Sequence, residues 1–534
     1  MIKRIFSTQS HTITGAAIVL GLASFASRFM GIIRDRIFAH QFGAGDVLDA
    51  YYAAFRIPDT IYTLIIVGAL SAGFIPVFAK LLLKDKDEAW RVANSVLNIF
   101  FVLLIAICGL LFIFTPQLMP LITPGFADEK LKLTITLTRI MFLSPILLGL
   151  SGIVGSILQS FKNFLIYSLT PIFYNLGIII GAVVLVPFFG LPGLAYGVIL
   201  GALLHLSFQI PSLYQCGFHY QKLFLLKNEH VRAIGKLMVP RTLGLAVNQF
   251  NLLIITILAS TLASGSLAVF NLANNLQYFP IGIIGVSFAI AALPTLTQMI
   301  AENKKEQFIS QLSSTTRQII FFIIPLTIIF LLLRAQIVRV VLGSGKFDWN
   351  DTILTANTLA FFSLSLFAQC LIPLLARAFY ALQDTWTPFV IGLFCDITNV
   401  IIAIYFKNQL GVSGLALAFS SAMVIQVILL WLMLRRRLGT LKESLALQSL
   451  FKISAAAIVM AIIIQALKFP LSQIFNLDTF IGVLLQGLIA GLIGLLVYGV
   501  ILYFLRLEEM QQFAAGAKRR WLKLWNVQGE ILEE

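Results

Sequence analysis

The sequence predicts an all-α polytopic membrane protein of about fourteen transmembrane helices, arranged as two parallel six-helix lobes around a central cavity, with two extra helices toward the C-terminus. Three observations carry this expectation. Hydrophobic residues make up 59% of the 534-residue chain and charged residues only 11%, with a mean hydropathy of +0.94, whereas soluble domains are about one-quarter charged. Apolar runs such as 97–115, 318–333 and 480–505 suit helices, because barrel strands are about ten residues long and alternate in polarity. The second half of the chain also echoes the first at an offset of about 220 residues.

Lys3 and Arg4 precede an apolar stretch in the manner of a cleavable signal peptide. The stretch is read instead as the first helix, 13–41, because no soluble domain follows it and Arg28 to Phe42 continues the helix. The break at Gly43-Ala44-Gly45 leads into 47–81, and helices at 92–116, 131–160, 164–187 and 191–214 complete a first lobe, residues 1–216. A second lobe, 217–438, is built from 230–262, 266–300, 307–342, 351–382, 387–406 and 412–434. The pair 448–468 and 480–505 falls within 439–506 and has no partner in the repeat. Residues 507–534 form a cytoplasmic basic amphipathic tail, whose run Lys518-Arg519-Arg520-Trp521-Leu522-Lys523-Leu524-Trp525 is either an interfacial anchor or a solvated segment.

The repeat is carried by short blocks in the same order. Gly125-Phe126-Ala127-Asp128 answers Lys346-Phe347-Asp348, Leu158-Gln159 and Thr170-Pro171 answer Leu382-Gln383 and Thr387-Pro388, and Gly193-Leu194-Ala195 answers Gly414-Leu415-Ala416. Arg56-Ile57-Pro58 stands opposite Tyr278-Phe279-Pro280. An even number of helices per lobe makes the two repeats parallel, with a site in the cavity between them.

The net charge of +15 follows mainly from topology. With the N-terminus inside, Lys80/Lys84/Lys86/Arg91, Lys222/Lys227/Arg232/Lys236, Lys304/Lys305 and Arg435/Arg436/Arg437/Lys442 all fall in cytoplasmic loops, while the opposite loops carry few cations, among them Lys130, Lys132, Lys346, Lys407 and Lys468. The positive-inside rule then places both termini in the cytoplasm. Basic residues scattered over short loops do not form a nucleic-acid surface. The four cysteines and five histidines are dispersed, which argues against disulfides, zinc and a nucleophile–base pair, and no phosphate-binding glycine loop points to an ATP-driven pump.

Seven ionisable residues sit within the first two helices: Arg28, Arg34, Asp35, Arg36, Asp49, Arg56 and Asp59. A charge at the centre of a membrane helix costs about 2.5–3.5 kcal/mol on insertion scales, so such a cluster pairs internally or lines a wet cavity. Arg28 and Asp35 share a helix face two turns apart, and Asp49, Tyr52, Arg56 and Asp59 form one stripe on the second helix. One reading is a buried ion-pair network of Arg34 or Arg28 with Asp35 or Asp49. The other places Arg28, Arg34 and Arg56 in a hydrated cavity as anion ligands, oriented by Asp35 and Asp49, because a guanidinium binds phosphate bidentately and keeps its charge. Arg36, near the outer end, is expected to snorkel.

The run Ser27-Arg28-Phe29-Met30-Gly31-Ile32-Ile33-Arg34-Asp35, followed by Phe42-Gly43-Ala44-Gly45, Asp49-Ala50, Phe55-Arg56-Ile57-Pro58, Gly68-Ala69-Leu70-Ser71 and Phe74-Ile75-Pro76, resembles the MurJ/MviN family of lipid II flippases. Pro124-Gly125-Phe126-Ala127, Phe279-Pro280, Gly282-Ile283-Ile284-Gly285-Val286, Gly345-Lys346-Phe347 and Ala378-Phe379-Tyr380 extend the likeness over most of the chain. The resemblance implies a member of the multidrug/oligosaccharidyl-lipid/polysaccharide exporter superfamily in the bacterial cytoplasmic (inner) membrane. Such a protein moves undecaprenyl-pyrophosphate-linked peptidoglycan precursor, lipid II, from the inner to the outer leaflet. It does so by alternating access, with no chemistry on the substrate and therefore no enzyme activity.

Carried over, Arg28 and Arg34 stand near the pyrophosphate with Asp35 and Asp49 beside them. Two family arginines are missing, since Tyr62 or Thr63 occupies one position and Asn275 the other; Asn274, Asn275 and Gln277 are left to hydrogen-bond sugar or peptide groups. Ile255 stands where some relatives have a cation-binding residue, leaving Asp396 and Asn399 as an acidic site or a pair within the lobe. The resemblance implies no cofactor, and transport driven by membrane potential or a monovalent-ion gradient. Membrane lipids and cell-wall synthesis proteins are the expected partners besides lipid II, with no nucleic acid. The alternatives are a flippase for another polyprenyl-linked glycan, a cation-coupled drug exporter of the same superfamily, or a non-transporting scaffold for wall synthesis.

Overall fold

The computed structural model describes residues 13–68 and 73–524. Ala69-Leu70-Ser71 of the sequence motif and Trp525 of the basic run lie outside the described residues, as do the side chains of Lys518 to Leu524. Among the described residues the regular structure is helical, and ten helices are long and apolar enough to cross a membrane, or up to twelve if each of two bent pairs is one span. The chain is a multi-pass membrane protein. The two expected spans outside this set are the first two, which carry the charges from Arg28 to Asp59.

Contacts group the chain into two compact units. The first comprises 1–275, 341–354 and 396–415, and the second 276–340, 355–395 and 416–534. The first unit starts with α1 (Ile13–Phe42), which ends at Gly43, a residue with a left-handed φ of +65° that suits glycine. The expected second helix, 47–81, is broken into α2 (Asp46–Ala54), α3 (Arg56–Ile61), a π-helical turn at Tyr62–Val67 and α4 (Ile75–Lys84). Pro58 explains the first break, because it has no N–H to give the carbonyl of Ala54 and its ring crowds that carbonyl. After α5 (Lys86–Ile122), the expected helix 131–160 is likewise split, into α6 (Asp128–Met141) and α7 (Leu143–Ser160), where Pro145 does the same to Met141.

The tightest packing in this unit joins α8 (Phe164–Ile180) to α9 (Gly193–Ser207). Gly177 of α8 and Gly181, which opens the π-helical turn Gly181–Leu185 at its end, are four apart, as are Gly197 and Gly201 of α9. A Cβ on Gly177 would lie 2.2 Å from Cα of Gly201, and one on Gly181 would lie 2.4 Å from Cα of Gly197. Two backbones therefore touch along a double small-residue stripe, the arrangement by which membrane helices associate through van der Waals contact where lipid supplies no hydrophobic drive. This contact holds α8 and its Asn175 against α1. The unit also contains α10 (Glu229–Ser260), which follows an extended segment clasped by α5: Asn94, Ser95 and Asn98 hydrogen-bond the backbone between His219 and Leu225.

α11 (Ser266–Ile281) leads into the second unit, where a further π-helical turn, Gly282–Val286, separates it from α12 (Ser287–Ala301). Pro58 and Pro280 each precede a π turn, at the offset of about 220 residues seen in the sequence. The packing recurs as well. The first π turn lies on α7 and the second on α15 (Leu366–Ala381), while α5 contacts α7 and α13 (Lys305–Leu332) contacts α15. The expected helix 351–382 is bent by 44° between α14 (Trp349–Ser363) and α15, and hydroxyls of Ser363 and Ser365 bond the carbonyls of Leu359 and Phe362 at that bend. The expected helix 307–342 ends at Leu332, with Arg334–Val341 a separate segment.

α16 (Trp386–Leu410) and α17 (Val412–Leu438) precede α18 (Glu443–Ile474) and α19 (Phe480–Phe504), which pair with each other, and α18 packs closely on α13. Tyr498 donates to the carbonyl of Phe321 at 2.8 Å. The tail begins as a helix, α20 (Glu508–Leu524), pinned by Arg317 of α13 through Glu509 at 2.6 Å and Glu508 at 2.9 Å.

The α8–α9 stripe makes a direct forecast. Gly177→Val should abolish monodisperse elution of the purified protein, because the added methyls meet backbone and exceed the about 1–3 kcal/mol of ordinary overpacking. Gly109→Val, at a position with open space around it, should elute and melt like the parent protein in the same detergent.

Candidate functional site

Five polar assemblies occupy the first unit, and each has a different fate for its charge. On α1, Arg34 donates through Nε and Nη2 to Oδ1 of Asp35 at 3.0 and 2.8 Å, and through Nη1 to Oδ1 of Asn175 at 3.0 Å. Oδ2 of Asp35 accepts from Nδ2 of Asn275 at 2.9 Å. Asp35 is only 5% exposed, so both its oxygens are satisfied inside the protein. The ion-pair reading thus holds for Arg34 with Asp35, and Asn275 is committed to that carboxylate.

Asp49 lies elsewhere. Its carboxylate meets Nζ of Lys130 at 2.6 Å and accepts backbone N–H groups of Gly265 and Ala268, each at 2.8 Å. Those two amides belong to the start of α11, where a carboxylate satisfies orphan donors and complements the helix dipole. Lys130 also reaches Asp46 at 2.6 Å, and Asp46 accepts the Ser264 hydroxyl at 2.7 Å. The expectation that Asp49 orients the arginines is therefore corrected: a lysine on α6, far away in sequence, takes that carboxylate.

Around Asp49 several loops converge. Gly265, at φ +85°, lies so close to Ala44 that a Cβ would be 1.8 Å from the Ala44 carbonyl oxygen. Lys346 N–H donates to the carbonyl of His40, and Ala44 N–H to Asp351, both at 2.9 Å. Arg36, expected to snorkel, points Nη1 at the carbonyl of Val341 at 3.3 Å. These bonds bring residues 36–49, 130, 260–268 and 341–351 of the first unit into one interlocked cluster.

On α3, Arg56 donates to Oδ1 of Asn271 at 2.9 Å, and Asn271 is itself held by the carbonyl of Leu267 at 2.7 Å. Asp59, one turn further on, is exposed. In the region of the second lobe, Asp396 accepts from Asn251 at 2.5 Å and Asn399 donates to Asn251 at 3.0 Å. Gln277 accepts from Gln369 at 2.9 Å in the second unit. Among the described residues, no group of three or more His, Cys, Asp or Glu side chains is placed to hold a metal ion.

Arg28 has a different setting. It lines a cavity of about 570 Å³ together with Ser24 and Ser27 of α1, Tyr62 and Ile66 of the first π turn, Ser151, Ser156 and Gln159 of α7, Tyr167 and Ser168 of α8, and His205 of α9. Arg34 and Arg56 are not among its lining residues, and neither are Asp35 and Asp49. The rest of the lining mixes hydroxyl, amide, imidazole and aromatic groups with the aliphatic side chains of Ile66, Val67, Ile75 and Pro171, so one guanidinium faces a neutral surface that is part hydrogen-bonding and part apolar. Such a site can hold a ligand with one anionic group and many neutral oxygens. Tyr62 or Thr63 stands where the resemblance leads one to expect an arginine; both lie on the first π turn, and Tyr62 lines the wall. Sequence reasoning missed Ser151, Tyr167 and His205, which belong to no local motif and meet only when α7, α8 and α9 pack.

Comparison with known proteins supplies independent findings. Residues 38–484 match the family model described as lipid II flippase MurJ. A probable lipid II flippase MurJ from Buchnera aphidicola subsp. Acyrthosiphon pisum is 31% identical over 88% of this chain and 93% of its own length. Its counterpart from Rickettsia prowazekii is 27% identical over 92% of this chain and 97% of its own length. Among solved structures, a lipid II flippase MurJ in an inward closed conformation superposes with a TM-score of 0.77 at 27% identity, over 92% of this chain and 99% of that one. An inward-facing multidrug resistance MATE family transporter matches with a TM-score of 0.67 at 18% identity, over 80% of this chain and 99% of that one, a likeness of fold.

The Asp49–Lys130 contact can be tested on its own. Asp49→Ala should lower thermal stability by about 3–5 kcal/mol, because it strands a buried lysine and two amides. The double variant Asp49→Ala/Lys130→Met should recover part of that loss in the same melt, whereas independent roles would make the two losses add.

Proposed function

The chain belongs to the lipid II flippase MurJ family, and from that premise we propose that it carries lipid II from the inner to the outer leaflet of a bacterial cytoplasmic membrane. The observation that carries the reading is the cavity of about 570 Å³ with Arg28 as its guanidinium and neutral hydrogen-bonding walls around it. A pyrophosphate needs a permanent cation of the right fork geometry, and Arg28 provides it. The head group's sugars offer hydroxyl and amide oxygens that serine, tyrosine, glutamine and histidine side chains can meet. The polyprenyl tail stays in lipid, where transferring its methylenes into water would be opposed by about 0.8 kcal/mol each.

In this reading the protein works by alternating access and changes no covalent bond of its substrate, so it is a transporter and no catalyst. Both termini lie in the cytoplasm, as the loop charges indicate. The interlocked cluster around Asp49 belongs to the side away from the cytoplasm, and its bonds to residues 260–268 and 341–351 must break and re-form as the lobes 1–216 and 217–438 rock. Membrane potential or a monovalent-ion gradient supplies the drive. Cell-wall synthesis proteins are the partners that would receive the product.

The reading is tested by replacing a depleted native flippase with variants and measuring labelled lipid II in the outer leaflet. Arg28→Ala should abolish translocation while the purified protein keeps the parent melting temperature, and Arg28→Lys should restore only part, because an ammonium lacks the bidentate fork. Arg34→Ala should also lower the melting temperature, since it leaves buried Asp35 without its cation. Wild-type outer-leaflet lipid II from well-inserted Arg28→Ala protein would refute the assignment.

A further inference from the structure

The cavity has a second pole opposite in chemistry to Arg28, and its detail lies in hydrogen bonding on the α7–α9 side. Gln209, just beyond α9, is fully buried. Its Nε2 lies 3.1 Å from the carbonyl of His205 and 3.3 Å from the carbonyl of Ser151, so two acceptors fix which end of the amide faces them. The same Nε2 donates to Oγ of Ser151 at 2.5 Å. Ser151 Oγ in turn stands 2.6 Å from Nδ1 of His205. The Ser151 hydroxyl has one proton to give and Nδ1 stands within reach of it, so the assignment adopted is Oγ–H donating to Nδ1. In that assignment the neutral imidazole carries its hydrogen on Nε2, because the two ring nitrogens of a neutral histidine divide the donor and acceptor roles.

His205 lines the cavity and Tyr174 packs edge-on against its ring, with centroids 6.5 Å apart. A Cβ on Gly155 of α7 would fall 2.9 Å from the Tyr167 ring and 3.0 Å from Oε1 of Gln209, so the glycine lets both approach. Apart from Arg28, the polar residues that line the cavity with His205 are uncharged, among them Ser151, Ser156, Gln159, Tyr62 and Tyr167.

We propose that Ser151 and Gln209 hold His205 as a neutral Nε2–H donor for a sugar oxygen of the transported head group, making this wall a glycan subsite separate from the anion subsite at Arg28. The assignment rests on the flippase reading given above and adds to it the part of the substrate that each pole recognises. An ionised phosphate oxygen is served by the permanent charge of Arg28. A hydroxyl or amide oxygen is a neutral acceptor, which a neutral donor of fixed direction matches without burying a further charge. A site built to hydrogen-bond a particular substrate oxygen also discriminates against an analogue that lacks it, because the buried donor is then left unpaired.

The test uses the full chain in lipid nanodiscs and two probes: lipid II, and undecaprenyl pyrophosphate carrying no sugar. Wild-type protein should bind lipid II more tightly. His205→Ala should weaken lipid II binding about three- to tenfold, the span of one neutral hydrogen bond, and leave undecaprenyl pyrophosphate binding unchanged. His205→Gln, which restores an amide donor, should regain part of the loss, and Ser151→Ala should show part of it because the tautomer is no longer set. Arg28→Ala should weaken both probes. Retained affinity for undecaprenyl pyrophosphate certifies that a variant is folded. The glycan subsite is overturned if wild type binds both probes equally, or if His205→Ala weakens both alike or neither. A wild-type protein that binds neither probe overturns the flippase reading itself.

Discussion

The cost of keeping an ionised side chain away from water governs how this molecule is put together. A bare carboxylate or guanidinium in the apolar interior is disfavoured by several kcal/mol even after relaxation. Asp35, Asp49 and Arg56 therefore each dictate where some other element must lie. Asp35 demands Arg34 on one oxygen and Asn275 on the other. Asp49 demands Lys130 and the two amides that open α11. Arg56 demands Asn271. In each case the partners include a group remote in sequence: Asn275 for Asp35, Lys130 for Asp49 and Asn271 for Arg56. Polar satisfaction thus specifies the contacts of α1, α2 and α3 more sharply than apolar surface could, since lipid and leucine are nearly equivalent to a membrane helix.

The same constraint separates residues that hold the fold from residues that meet the ligand. Arg34 and Arg28 are six residues apart in one motif, yet Arg34 is tied to Asp35 and Asn175 while Arg28 lines the cavity. A motif of alternating charge is economical in this sense: one arginine with its aspartate sets the position of α1 against α8, and that position aims the other. Glycine supplies the complementary device. At Gly177, Gly181, Gly197 and Gly201 the absence of side chains lets α8 and α9 touch, which brings Tyr167 and His205 to the same wall.

The fold class was legible in composition and in the length of apolar runs, and Arg28 was legible in its motif. The breaks at Phe55 and Phe142 were also within reach, because Pro58 and Pro145 stand where a helix interior loses a bond. The α8–α9 contact could have been found from glycines four apart on consecutive helices. Lys130 was not legible as the partner of Asp49, since a loop-proximal lysine on a later helix has no spacing relation to it. The site residues Ser151, Tyr167 and His205 were hidden for the same reason. Each is an ordinary residue of an apolar helix, and only the packing of α7 on α8 and α9 turns three unrelated positions into one surface.

Of the π turns among the described residues, the two that follow Pro58 and Pro280 stand at the repeat offset and serve different ends. Tyr62–Val67 and Gly282–Val286 each follow a proline-bearing segment and each lies on an equivalent helix, α7 or α15. A π turn inserts a residue into the helical ladder, rotating every side chain beyond it relative to a plain α-helix. In the first unit that rotation accompanies Tyr62, which lines the cavity. In the second, Gly285 lies so near Cys370 that a Cβ would be 2.6 Å from its Cα, and the turn serves close helix packing. The irregularity is alike in both turns, and the residue placed upon it decides whether it opens a wall to a ligand or closes two helices against each other.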